Sequence, residues 1–173
     1  GYNSTPHMIL YHVNGGYPAV APGGRLLAPS RKAEPRDEIA APGVGEWNQF
    51  PAPIPGFKEQ CYFHDMVPDE SGEVTTALVN KGCDGARGFG FYLKYRKEEL
   101  PRFIQWKMVG EGHFVCGMEP ANALVTGRDK ARGSGELQYL EPGEKREYHL
   151  EIGVLASAEE IERLREELAN LVG

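Results

Sequence analysis

Short runs of apolar residues, many alternating with polar ones, follow one another along most of the chain, and Gly or Pro separates them. This pattern predicts β-strands joined by turns. The predicted strands are 8–14, 25–28, 60–67, 73–80, 88–95, 103–109, 113–118, 135–140 and 147–155. In 147–155 every second residue is apolar, so one face of that strand should be apolar. Because no helical pattern long enough for a parallel crossover lies between the strands, we expect antiparallel sheets.

The end of the chain carries the pattern of an amphipathic helix. Ser157 is a candidate N-cap, with Glu160 at the third position of a capping box. Apolar residues then recur at helical spacing, at Ile161, Leu164, Leu168 and Leu171. This stripe is narrow, so we expect the helix to pack one side onto a sheet, with a dimer seam as the alternative. The chain is therefore divided into a β-region at 1–155 and a C-terminal helix at 156–173.

The stretch 18–55 has few consecutive apolar residues and is rich in Pro, Gly and Ala. It is too long for a simple turn, and we predict one long loop with room for a short hairpin. Loops of this kind on a rigid sheet often cover a functional site.

Composition narrows the classes of partner. The chain has 173 residues, with 19 Lys and Arg against 25 Asp and Glu, which gives a net charge of −6. No basic cluster and no long apolar run is present, so we expect neither a nucleic acid nor a membrane as partner. The cysteines Cys61, Cys83 and Cys116 form no CxxC pair. Buried thiols in a reducing compartment, the cytoplasm, are the interpretation that fits.

Two segments end an apolar strand in a side chain suited to proton transfer. His12 and Asn14 precede a glycine pair and should share one face of their strand, and imidazole titrates near neutral pH. Glu119 ends the apolar run 114–118, where partial burial would raise the pKa of its carboxyl and make it a better base. Each also has an ordinary structural explanation: a core histidine bonded to a carbonyl, and a strand-end glutamate that reaches solvent.

Other polar and aromatic side chains are candidates for binding a polyol. Glu59 and Gln60 begin the run 59–65, in which Gln60 and His64 share a face and could bond neighbouring hydroxyls. Trp106 could stack on the apolar face of a sugar ring, with Lys107 beside it, although core packing would also explain the indole.

A metal site is a further possibility, because the chain offers several imidazole and carboxylate groups. The possible ligands are His12, His64, His113, Glu59 and Glu119. None of them shows a tight HxH or HxxxH spacing, so we expect no metal and no other cofactor.

Taken in order, these segments resemble the C-terminal half of aldose 1-epimerase-like proteins, which have the galactose-mutarotase-like β-supersandwich fold. The segments are HVNG at 12–15, EQCYFH at 59–64, LPRFIQWK at 100–107, GMEP at 117–120 and LEPGE at 140–144. The likeness covers roughly 5–155 and is greatest to a bacterial branch that is largely uncharacterised. With the helical pattern, it implies a mainly β, antiparallel β-supersandwich portion with one C-terminal α-helix.

In that family a histidine is the general acid and a glutamate near the C-terminus is the general base. The resemblance implies that His12 is the acid and Glu119 the base, with Asn14, Glu59, Gln60, His64, Trp106 and Lys107 as substrate contacts. The implied function is an isomerase that opens a monosaccharide or sugar derivative and closes it as the other anomer, without a cofactor.

The departures from the family pattern are also informative. Classical members carry H-x-Y-F-N where this chain has HVNG followed by a second glycine, and Pro120 follows the base glutamate. The family's mid-chain acidic sugar contact has two candidates here, Glu59 and Asp65. Full members are about twice as long, and their first half supplies an arginine and a second histidine. We therefore expect an N-terminal half of the same protein as a partner.

Three other functions are weighed against the epimerase. The first is a non-catalytic sugar-binding or regulatory protein on the same fold. The second is a metal-dependent sugar isomerase that uses His12, His64 and Glu119. The third, a lyase acting on uronic sugars, would need basic residues near the site, for which Arg128 and Arg132 are the candidates.

Overall fold

The computed structural model describes residues 1–83, 85 and 87–173. Its strands are β1 (Thr5–His7), β2 (Val13–Gly15), β3 (Arg25–Leu27), β4 (Ser30–Pro35), β5 (Gln60–Met66), β6 (Glu73–Asn80), β7 (Phe89–Arg96), β8 (Arg102–Gly110), β9 (His113–Ala121), β10 (Gln138–Leu140) and β11 (Leu150–Leu155). Its helices are α1 (Arg128–Gly133) and α2 (Ala158–Val172), and Ala41–Glu46 forms a 3₁₀ helix.

Two antiparallel sheets contain most of these strands. A five-stranded sheet has the order β2-β9-β8-β5-β4, and a four-stranded sheet has the order β11-β7-β6-β3. A separate two-stranded ribbon joins β1 to β10. Every pairing between the named strands is antiparallel. The predicted fold class, a mainly β antiparallel sandwich with a C-terminal helix, is confirmed.

The main core lies between the two large sheets. Side chains alternate along each strand, so each sheet directs one set of apolar groups inward. Fully buried residues from both sheets form this core, among them Val74, Leu78, Leu93, Tyr95, Phe103, Cys116 and Met118. The ring of Tyr95 stacks on that of Phe103, with 6.2 Å between the ring centroids. The inward face of the five-stranded sheet is thus covered, which leaves its other face for a site.

Helix α2 begins where the sequence predicts. The hydroxyl of Ser157 accepts a hydrogen bond from the Glu160 backbone N–H at 3.1 Å, and the Glu160 carboxylate accepts one from the Ala156 N–H at 2.7 Å. These bonds satisfy donors that a helix start leaves free. Ile161 packs with Ala77, Val79 and Leu155 on the outer face of the four-stranded sheet. Neither α1 nor α2 is long and apolar enough to cross a membrane.

The segment 18–55 contains more structure than a loop. It includes β3, which pairs with β6, and β4, which pairs with β5, so it passes from one sheet to the other and forms no hairpin. The strand β4 was missed because it is an edge strand in which three of the six residues, SRKAEP, are charged, and it has little apolar alternation.

Other predicted strand boundaries need correction. Of the predicted strand 8–14, only Val13 and Asn14 lie in a strand, β2; β1 ends at His7, and Leu10 makes only an isolated bridge to Ala121. The predicted strand 135–140 is reduced to β10, and α1 comes before it with Arg128 and Arg132 exposed to solvent. In β11 apolar and polar residues alternate as predicted. Because β11 is an edge strand of the four-stranded sheet, two residues of its apolar set, Ile152 and Val154, are 61% and 62% exposed.

The packing of α2 gives a prediction for stability. Ile161 is 1% exposed, so Ile161→Ala should lower the free energy of unfolding by about 2–5 kcal/mol through lost apolar burial and a cavity. Val172→Ala on the same helix is the matched control, because Val172 is 38% exposed. Urea unfolding at two protein concentrations measures both changes. A loss for Ile161→Ala that depends on protein concentration would point to a dimer seam instead.

Candidate functional site

The five-stranded sheet has one face in the core and one face directed away from the other sheet, which we call the site face. The register places Asn14 opposite Gly117 and Gly117 opposite Trp106. Because alternate residues share a face, the neighbouring row of the site face contains Glu119, Ile104 and Phe63. The residues of the site face used below are His12, Asn14, Cys61, Phe63, Asp65, Arg102, Ile104, Trp106, Gly117 and Glu119.

His12 and Glu119 meet near one edge of this face. Glu119 is in β9, and His12 comes just before β2, whose register continues to the position opposite Glu119. His12 Nε2 lies 3.0 Å from Glu119 Oε1, with the imidazole 45% exposed and the carboxyl 5% exposed. The two atoms are within ion-pair distance but are not aligned as a hydrogen bond, and Oε1 has no other hydrogen-bond partner among the described residues.

Burial gives Glu119 an unusual pKa. Loss of water raises the pKa of its carboxyl from 4.5 to about 7, and the negative charge of Glu59 adds to the increase. The positive charge of Arg36 opposes it. A carboxyl with a pKa near 7 exists in both protonation states at neutral pH, which suits it to take up and return a proton.

Gly117 allows the polar groups of the site to approach one another. A Cβ atom at this position would lie 2.6 Å from Glu119 Oε1, 3.0 Å from His12 Cε1 and 3.3 Å from Asn14 Oδ1. Three polar side chains therefore converge above a backbone that carries no side chain of its own. This arrangement brings Asn14, which is exposed, next to the His12–Glu119 pair.

A second set of contacts fixes the indole of Trp106. Its Nε1–H donates a hydrogen bond to Glu59 Oε2 at 2.8 Å, and Arg36 Nη2 donates to Glu59 Oε1 at 3.2 Å. These two donors lower the pKa of Glu59, which is thus ionised at neutral pH. The indole lies edge-on to the His12 imidazole, with 6.0 Å between the ring centroids. Trp106 is therefore a partly exposed aromatic surface held beside the acid–base pair.

Arg36 was not predicted from the sequence. It follows β4, and its guanidinium donates to Asp37 Oδ2 at 2.7 Å and to Cys61 Sγ at 3.0 Å, besides Glu59. Burial raises the pKa of the Cys61 thiol to about 11, so this sulfur is a neutral acceptor. No linear motif marks Arg36; only the pairing of β4 with β5 brings it to the site.

Gln60, His64 and Lys107 do not lie on the site face, and this corrects their predicted grouping with His12 and Glu119. His64 is buried on the core face, where Nε2 is 3.2 Å from Gln105 Oε1 and Nδ1 is 3.0 Å from Ser30 Oγ. Burial lowers the pKa of His64 to about 4, so its imidazole is neutral. Trp106 and Lys107 are adjacent in the sequence, and adjacent strand residues point to opposite faces.

The hydrogen bonds of Lys107 and Gln60 explain why these side chains lie on the core face. Lys107 Nζ donates to the Glu46 carbonyl at 2.9 Å, and burial lowers the pKa of Lys107. Gln60 accepts a hydrogen bond from the Tyr62 hydroxyl at 2.7 Å. These polar groups hold the segment 39–47 against the sheet and leave the site face to the residues described above.

The geometry also bears on the metal alternative. His64 lies on the opposite side of the sheet from His12 and Glu119, so these three side chains cannot share one ion. Within 1–83, 85 and 87–173, no group of three or more His, Cys, Asp or Glu residues is placed to hold a metal.

Comparison with known proteins gives the family. Residues 1–154 match the model of a domain of unknown function, DUF4432. The chain belongs to the DUF4432 family. No curated protein matches the sequence significantly.

The DUF4432 chain is also similar to a solved structure. That structure is of a “putative aldose 1-epimerase” from Klebsiella pneumoniae, with a TM-score of 0.91 and 24% sequence identity. The match covers 100% of this chain and 44% of the Klebsiella chain, so this chain spans less than half the length of that protein. The similarity shows that the two proteins share one fold over the matched residues.

The burial of Glu119 predicts a pH dependence of stability in this DUF4432 protein. The folded-state pKa of about 7 exceeds the usual 4.5, so between these pH values the folded protein holds a proton that the unfolded chain has lost. The free energy of unfolding should fall as the pH rises through this window. Glu119→Gln should lack this part of the fall, whereas Glu111→Gln, at an exposed position, should keep it. Urea unfolding from pH 4 to 8 measures the difference, and equal slopes in all three proteins would contradict a raised pKa.

The space above Gly117 gives a second prediction. Gly117→Ala should displace the Glu119 carboxyl or the His12 ring and change the pH titration of Glu119, which NMR can follow. Gly110→Ala is the control in the same sheet, because the nearest atom to its Cβ would be 3.6 Å away. An unchanged titration in Gly117→Ala would show that the site has room for a methyl group.

Proposed function

We propose that this chain carries the acid–base pair of an aldose 1-epimerase and interconverts the anomers of a monosaccharide or sugar derivative. The observation that supports this is a buried carboxyl with a pKa of about 7 that lies 3.0 Å from a half-exposed imidazole. Anomer interconversion requires two proton transfers at two oxygens bonded to the same carbon. A carboxyl whose pKa is about 7, next to an imidazole that can donate a proton, matches this requirement.

In the proposed reaction, the Glu119 carboxylate takes the proton from the anomeric hydroxyl while protonated His12 gives its proton to the ring oxygen. The electron pair of the bond between the anomeric carbon and the ring oxygen passes to that oxygen, and the anomeric C–O bond becomes a carbonyl. After rotation about the bond between C1 and C2, the ring closes onto the other face of the aldehyde. Glu119 then returns its proton to the carbonyl oxygen and His12 recovers its own from the ring-closing hydroxyl.

The direct contact between His12 and Glu119 must open to admit the sugar. His12 would then contact the ring oxygen and Glu119 the anomeric hydroxyl, in place of their contact with each other. Little further movement of either side chain is needed. Positioned proton transfer contributes on the order of 10²–10⁴ in rate for each group. A sugar between them would be held in the orientation that both transfers need.

The surrounding side chains are suited to hold a sugar ring. The indole of Trp106 offers a surface for its apolar face, and the hydrogen bond from Nε1 to Glu59 keeps that surface in place. Asn14 offers an amide donor and acceptor, and the half-exposed Glu59 carboxylate can accept from a hydroxyl. We therefore assign Asn14, Glu59 and Trp106 as substrate contacts.

We also propose that a further half of the same protein completes the site. The imidazole of His12 is open to solvent on one side, and the Klebsiella chain extends well beyond the matched 44%. An added half above the site face would exclude water from the reacting groups, which strengthens electrostatic interactions there.

The test is the rate of anomer interconversion. Freshly dissolved α-D-glucose and α-D-galactose are followed by polarimetry and by NMR exchange. Glu119→Gln should lower kcat by at least 10²-fold while the sugar still binds, because the amide cannot take a proton, and Glu111→Gln should retain the wild-type rate.

Other results of this test would favour other functions. Sugar binding without turnover in the wild-type protein would indicate a non-catalytic sugar-binding protein. Full activity in Glu119→Gln would exclude Glu119 as the base. Activity that is lost with a chelator and restored by a metal ion would indicate a metal-dependent isomerase with other ligands than the three predicted.

A further inference from the structure

A cleft of about 380 Å³ opens on the site face, two strands away from Glu119. Its volume is within the range of small-molecule sites. The residues that line it include Lys32, Glu34, Phe63, Asp65, Lys97 and Arg102. None of these residues takes part in the proposed proton transfers, so those transfers do not explain the cleft.

The sheet register fixes the position of the cleft relative to Glu119. Phe63 in β5 lies opposite Ile104 in β8, and Ile104 lies opposite Glu119 in β9. Phe63 and Glu119 are therefore two strand spacings apart, or about 10 Å. A single sugar ring held at His12 and Glu119 would not reach across this distance, whereas two linked rings would.

The cleft presents hydrogen-bond donors and acceptors in pairs. Lys32 forms an ion pair with Glu34, and Lys97 Nζ lies 3.9 Å from Asp65 Oδ1. All four side chains are partly or largely exposed, so their polar atoms remain open to a ligand. A hydroxyl group both donates and accepts, and a neutral ion pair satisfies both needs.

The balance of charge favours a neutral ligand over an anion. The third cation of the cleft, Arg102, also has a carboxylate partner, with Nη2 donating to Glu136 Oε1 at 2.6 Å. A phosphate or carboxylate in the cleft would have to displace these carboxylates or lie beside them, where like charges repel. The ring of Phe63 adds an apolar surface of the kind on which a sugar ring stacks.

We propose that this cleft is a second carbohydrate subsite, which binds the sugar ring attached to the one whose anomeric carbon lies between His12 and Glu119. The preferred substrate is then a reducing disaccharide or a longer oligosaccharide. The position of the first ring rests on the proposed function. The chemistry of the cleft is inferred from the residues that line it alone.

The experiment compares monosaccharides with reducing disaccharides, which keep a free anomeric carbon. The rates for D-glucose and D-galactose are measured by NMR exchange beside those for maltose, cellobiose and lactose. At least one disaccharide should have a kcat/KM at least 10-fold above that of D-glucose, the sugar at the reducing end of all three. Equal values for D-glucose and every disaccharide would overturn the second subsite but leave the epimerase proposal intact.

Two variants on different strands test the lining of the cleft. Arg102→Gln in β8 and Asp65→Asn in β5 should each lower kcat/KM for the disaccharide at least fivefold more than kcat/KM for D-glucose. Arg165→Gln is the matched control, because Arg165 lies on α2 at the outer face of the other sheet and should change neither value. Thermal melting checks that each variant folds, and Arg102→Lys replaces Arg102→Gln if that variant does not. Equal losses for both substrates would contradict the subsite.

A binding measurement separates the two proposals if no sugar is turned over. Calorimetry with maltose, cellobiose and lactose then compares the wild-type protein with Arg102→Gln. If Arg102→Gln weakens this binding at least fivefold, the subsite proposal stands even though the epimerase proposal has failed. No binding of any of these sugars would overturn both.

Discussion

The structure depends on the strict alternation of side chains in the five-stranded sheet. One face of this sheet is covered by the four-stranded sheet and the segment 39–47, so its residues are apolar or, like His64, Gln105 and Lys107, have their polar atoms hydrogen-bonded. The other face is free to carry groups that would be costly in a core. A carboxyl there can be desolvated by its neighbours and still lie against a half-exposed imidazole, which is the situation of Glu119.

Much of the scaffold could be predicted from the sequence because it follows from local patterns. The alternating runs that became β5, β6, β8 and β9 are long and apolar, and the capping box of α2 is local by definition. The charged edge strand β4 could not be predicted in this way, since its pattern reflects the absence of a neighbour on one side.

The site was only partly predictable for a similar reason. His12 and Glu119 were found because each follows an apolar run, but their contact depends on the pairing of β2 with β9, which lies outside any linear window. Gln60, His64 and Lys107 were grouped with them because of their hydrogen-bonding side chains and the family resemblance, although register places them on the opposite face. Arg36 reaches the site through a strand pairing that the sequence did not reveal.

Gly117 has a consequence for how related sequences are interpreted. It supplies no atom to the proposed chemistry, yet the approach of Glu119, His12 and Asn14 depends on its lack of a side chain. A relative with a larger residue here would keep both reacting groups in its sequence and lose the space that lets them meet. A comparison that scores only the histidine and the glutamate would count such a relative as intact. The glycine is therefore a separate marker of whether a related sequence can bring these groups together.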